Sequence, residues 1–235
     1  MRYITNIICL TAVLFFPHAA IGWSADFQKG FEAFESKDYA TALKEWRPLA
    51  RQGEIFAQRS LGLMYELGLG VQPNDKLAAR WYTLAAEQGD AAAQFSIGRL
   101  YVAGDGVVQD YKSAVKWFTR AANQGSADAQ YRLGKMHAQG KGVEQDYVEA
   151  VKWLRRAAEQ GVASAQLVLG ASYDAGRGVV RDRIHAHMWY NIAASSGDEK
   201  AAKFRDELAN GMTTAQVAEA QKRARECVEK NYKGC

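Results

Sequence analysis

His185 and His187 are two imidazoles two residues apart, and imidazole pairs are common metal ligands. Residues two apart on a helix point ~200° away from each other, so these two cannot share an ion. No metal site and no cofactor is expected. Ser113 and Lys116 set a hydroxyl and an amine about one helical turn apart, the pairing a serine nucleophile needs for acyl transfer. The same two slots elsewhere in the chain hold Leu77/Arg80, Glu149/Lys152 and His185/Met188, so the pair reads as variation on a solvated helix face. Gly-x-Gly occurs at Gly68/Gly70, Gly104/Gly106, Gly140/Gly142 and Gly176/Gly178. A dinucleotide site needs a strand before such glycines, and none is indicated. No catalytic residue can be nominated.

The elements that would position these residues are repeated. AVKWFTRAANQG at 114–125 returns as AVKWLRRAAEQG at 150–161, an offset of 36 residues. The same offset relates Ala57-Gln58, Ala93-Gln94, Ala129-Gln130 and Ala165-Gln166, and also Trp81, Trp117, Trp153 and Trp189. Within 110–125, Tyr111, Ala114, Val115, Phe118, Ala121 and Ala122 fall at helical spacing. Asp110 stands at the N-cap and Gly125 just past the end. Each unit therefore predicts two helices, with pairs near 27–53, 55–88, 91–124, 127–160 and 163–196. A glycine sits inside each first helix (Gly62, Gly98, Gly134, Gly170), at a cost of about 1 kcal/mol against Ala. That predicts close approach of the two helices of a pair, opposite the small residues Ala78, Ala114, Ala150 and Ala186. One pair cannot bury its apolar face alone, so the pairs must stack into a right-handed α/α solenoid, an all-α fold.

The pattern Ala-x-x-x-Leu-Gly-x-x-Tyr-x-x-Gly-x-Gly-Val, then Asp-Tyr-x-x-Ala-x-x-Trp-Phe-x-x-Ala-Ala-x-x-Gly, resembles the Sel1-like repeat, a relative of the tetratricopeptide repeat. Four units are expected at 55–90, 91–126, 127–162 and 163–198. A tetratricopeptide-like pair at 26–54 precedes them, and capping helices follow at 199–235. The resemblance implies a scaffold that binds other proteins, often in secretion, envelope or stress pathways.

Residues 1–25 stand apart. Arg2 is the only charge before Asp26, and Ile4 to Phe16 is an apolar run of signal-peptide length. A cleaved secretory signal is expected, with an uncleaved N-terminal anchor as the rival, and the location expected is periplasmic or secreted. Cleavage would leave Cys227 and Cys235, an even number in an oxidising compartment, and a disulfide between them is expected. Two free thiols on a frayed tail are the alternative.

The 235 residues carry 30 Lys+Arg against 26 Asp+Glu. Removing the leader takes one Arg with it, too mild a surplus to argue for nucleic acid. The remaining candidate is a surface. By its resemblance to the tetratricopeptide solenoid, the first helix of each pair is expected to line the concave side, where Phe56, Arg59, Leu63, Phe95, Arg99, Tyr131, Arg132 and Lys135 are not needed for stacking. Aromatic and basic types are those favoured at interface hot spots. The expected function is an exported scaffold or adaptor that binds a partner protein or extended peptide there. The alternative is an envelope hydrolase acting on cell-wall or β-lactam-like substrates.

Overall fold

The structure, a computed structural model, describes residues 25–235, and the expected signal segment lies almost wholly outside them. Twelve helices and no strand occur among the described residues. They are α1 (Ala25–Glu35), α2 (Tyr39–Arg51), α3 (Ile55–Leu67), α4 (Asp75–Glu87), α5 (Ala91–Ala103) and α6 (Tyr111–Asn123). The chain continues with α7 (Ala127–Gln139), α8 (Tyr147–Ala158), α9 (Ala163–Ala175), α10 (Arg183–Ser195), α11 (Glu199–Ala209) and α12 (Thr214–Glu229). Each odd helix up to α9 packs on the even helix after it, and each even helix up to α10 on the odd helix after that. This is the stacked α/α solenoid the repeat demands.

Local chemistry sets the helix ends. Asn74, Asp110, Asp146 and Asp182 cap the second helices of the four repeats, each side chain accepting from a first-turn N–H. Gly68, Gly104, Gly140 and Gly176 close the first helices in the left-handed conformation. The second glycine of each Gly-x-Gly has a further role. A Cβ on Gly106, Gly142 or Gly178 would strike the backbone of Asp75, Tyr111 or Tyr147, at the N-terminal end of the preceding unit's second helix. The loop therefore lies flat on its neighbour only if that residue has no side chain.

The apolar core is a series of junction clusters. One joins Tyr82, Ala85 and Ala86 of α4, Ile97 and Leu100 of α5, and Trp117 of α6. The next repeats it with Phe118 and Ala121, Leu133 and Met136, and Trp153. The internal glycines do mark close approach, but the residue that fills the space is large. The rings of Tyr82, Phe118 and Tyr190 lie against Gly62, Gly98 and Gly170, and Leu154 against Gly134. The alanines four residues earlier contribute backbone, with the Ala150 carbonyl 3.1 Å and the Ala186 carbonyl 3.2 Å from where a Cβ would stand.

Polar groups cross the same junctions. The buried amides of Gln58, Gln94, Gln130 and Gln166 donate to the carbonyls of Ala50, Ala86, Ala122 and Ala158. Gln88, Gln124 and Gln160 donate back to the first three at 2.7–2.8 Å. The fourth position of that second series is Ser196, whose hydroxyl turns to Ile192, and Gln166 Oε1 is left without a partner.

The stack ends by changing sequence at the pairing positions. In α11 the slot of Leu61 is Arg205 and the slot of Gly62 is Asp206. A second helix has no apolar seat there. Instead α12 packs back on α10, and Met188 and Ile192 of α10 share a core with Ala224 and Cys227 of α12.

Candidate functional site

The first helices α3, α5 and α7 present the eight expected surface residues, but not as one group. Arg59 donates to Asp90 Oδ2 at 2.9 Å, and its guanidinium lies 5.3 Å from the Phe56 ring centroid. Asp90 is also the N-cap of α5, so this ion pair ties two units together. Arg99 donates to Glu66 Oε1 at 2.5 Å, and Glu66 Oε2 accepts from the Tyr82 hydroxyl at 2.8 Å. Burial together with the Glu66 charge pushes the Tyr82 phenol well above its ordinary range. Arg59 and Arg99 are thus engaged in holding neighbouring units. Phe95 packs on Phe118 at 5.7 Å, and Leu63 is half-buried against the α4–α5 core.

The third unit differs. Tyr131 is half-buried against the core around α9. Lys135 Nζ lies 5.5 Å from the Tyr131 ring centroid, and Arg132 is exposed. The following unit carries Leu167 and Val168 at the Tyr131 and Arg132 slots, both half-buried. Glu66 and Asp90 were not anticipated. Glu66 precedes Arg99 by 33 residues and Asp90 follows Arg59 by 31, each just under one period, so both pairs join successive first helices.

The remaining candidates have structural settings. Ser113 donates to Asp110 Oδ2 at 2.7 Å, which makes it part of a helix cap, while Lys116 is exposed. His185 is held at Nδ1 by Asp182 Oδ2 at 2.7 Å and stacks on Tyr173 at 5.1 Å. Burial works against the Asp182 charge, but the His185 backbone and ring outweigh it and hold the carboxyl below its usual range. His187 is buried and its Nδ1 meets no partner. Among the described residues no three His, Cys, Asp or Glu side chains are placed to hold a metal ion. Cys227 and Cys235 are joined in the structure, with Cα atoms 5.7 Å apart. A shallow cavity of about 180 Å³ beside them is lined by His185, Met188, Arg223, Glu226 and Lys230.

Helix pairs of fixed period, glycine-closed and stacked without insertion, define a solenoid of the tetratricopeptide-like class. The Sel1 repeat model matches residues 55–90, 91–126, 127–162 and 163–198, and the chain belongs to that family. Among solved structures it is similar to c5321, a protective antigen of uropathogenic Escherichia coli with an SLR fold: identity is 34% and the TM-score 0.80. That match covers 88% of this chain but only 46% of the E. coli protein, so the chain spans about half its length. A Sel1 repeat protein from Oxalobacter formigenes is 35% identical with a TM-score of 0.75, covering 83% of this chain and 84% of that one. A search of curated proteins found no match.

Proposed function

We propose that this Sel1-repeat protein is an exported adaptor that holds a partner protein, or an extended segment of one, on the face lined by its first helices. The observation that carries the reading is a contrast between adjacent positions. Gln58, Gln94, Gln130 and Gln166 are identical and buried, whereas the next residues, Arg59, Phe95, Tyr131 and Leu167, differ in every unit and reach the surface. The stack demands one residue type at the first set and tolerates different ones at the second. Arg59 and Arg99 belong to inter-unit ion pairs, so Tyr131, Arg132 and Lys135 are the strongest anchors, with Phe56, Leu63 and Phe95 as apolar flanks. Export is supported by the apolar run Ile4 to Phe16 and by the Cys227–Cys235 pair, which suits an oxidising compartment.

Capture from an envelope extract tests the adaptor reading. The double variant Tyr131→Ala/Arg132→Ala should lose partners that the unchanged chain retains. Equal capture by both would remove this face from the reading. Mass spectrometry of the chain expressed with its own leader should find a start between Trp23 and Phe27, and an uncleaved product would count against export.

A further inference from the structure

We propose that the outward side of the second helices is a docking surface for an anionic phospholipid layer. This face is distinct from the first-helix face, and the inference does not rest on the adaptor reading.

The 36-residue period puts one cation at the same position of four successive units: Lys44 in α2, Arg80 in α4, Lys116 in α6 and Lys152 in α8. All four are exposed. One turn further along, Arg120 and Arg156 widen the row, and one turn back Lys76 and Lys112 do the same. Residues four apart on a helix share a face and are separated by ~6 Å along it. The cations therefore form a two-dimensional array, several rows deep along the helices and one step per unit across them.

The stack does not require these charges. Lys44, Arg80, Lys116 and Arg120 make no ion pair among the described residues, and Lys152 alone of the row has one, with Glu149 at 2.9 Å. α6 carries three cations and no acidic residue. Elsewhere Glu45 of α2 is paired with Lys29 and Glu149 of α8 with Lys152, while Asp75, Glu87 and Glu159 lie at helix ends. The row stops where the cap begins, because the equivalent Met188 and Ile192 are buried in the core that includes Ala224 and Cys227 of α12.

The shape and chemistry favour a lipid surface over a nucleic acid strand. Single strands are held in a groove whose aromatic faces are open for base stacking. Here the rings of Trp117 and Trp153 are buried, and each is capped by a guanidinium, Arg120 or Arg156, 4.7 Å from the ring centroid. A sheet of phosphates meets such an array without needing a groove. Val148, exposed among the cations at the Lys112 slot, adds an apolar contact at the same level.

Flotation of the purified chain with vesicles tests this. It should float with phosphatidylcholine–phosphatidylglycerol vesicles and not with phosphatidylcholine alone, and added salt should release it. Each surface cation contributes about fivefold to partitioning, so Arg80→Gln/Lys112→Gln/Lys116→Gln should lose roughly 100-fold while keeping its thermal transition. Arg132→Gln/Lys135→Gln, on the other face, should bind vesicles as the unchanged chain does. Equal flotation with neutral vesicles would overturn the proposal, as would full binding by the triple variant. Binding to a single-stranded oligonucleotide but not to anionic vesicles would assign the array to nucleic acid and overturn it as well.

Discussion

His187 shows how a residue that looked like a metal ligand becomes a packing residue with a pH consequence. It fills the slot of Val151, is 2% exposed, and faces Arg205 and Asp206 of α11. Burial, helped by the Arg205 charge, lowers its pKa below the ordinary 6.5, and Asp206 opposes this without reversing it. The unfolded chain therefore binds the proton more readily, and stability should be full above pH 6.5 and fall as the pH drops below that value. Thermal transitions across this range should slope downward toward acid in the unchanged chain and less so in His187→Val. Equal slopes would show that another group titrates. The loop glycines make a second residue-scale test. Gly106→Ala places a methyl against the Asp75 backbone at φ +69 and should cost more than 2 kcal/mol in urea unfolding. Gly125→Ala, at φ +94 with open space around it, should cost only the left-handed penalty of about 1–2 kcal/mol.

At the scale of elements, the cap decides how the stack ends. α12 leaves α11 and packs on α10, and the tail after it turns back through Asn231 and Tyr232, both at positive φ. The Tyr232 ring lies against Gly161, at the turn between α8 and α9. Closing so short a loop with a disulfide is worth about 2.5 kcal/mol in the chain-entropy account. Non-reducing peptide mapping should link Cys227 to Cys235, and Cys235→Ser should lower stability by roughly that amount. Quantitative alkylation of both thiols without reductant would show that the pair is open. The helix boundaries in this region were legible, because Asp198, Thr213 and the intervening Gly211 are strong local signals. The seat of α12 on α10 was not, since nothing local states which neighbour an amphipathic helix will choose.

Across the whole molecule, stability is a sum over junctions, each built from the same residues. Leu133→Ala empties a site that is 1% exposed and should cost roughly 2–5 kcal/mol, read as a loss of the shared thermal transition. Arg132→Ala, at an exposed position, should move it by less than about 0.5 kcal/mol. Arg99→Ala should fall between the two, because it strips Glu66 of its cation beside the buried Tyr82 hydroxyl.

The sequence by itself determined the period, the helix pairs, their caps and the glycines at their crossings. These follow from spacing within one unit and from backbone conformations that few residues tolerate. It also marked first-helix positions that vary from unit to unit. Only the tertiary structure decided what those residues meet. Arg59 reaches Asp90 and Arg99 reaches Glu66 because stacking brings the ends of successive first helices together, and neither contact is implied by the helix that carries the arginine. Likewise a cation every 36 residues is a one-dimensional fact until the units stack. Lys44, Arg80, Lys116 and Lys152 then share one surface, because each unit is laid on the last in the same orientation and a repeated position becomes a repeated place.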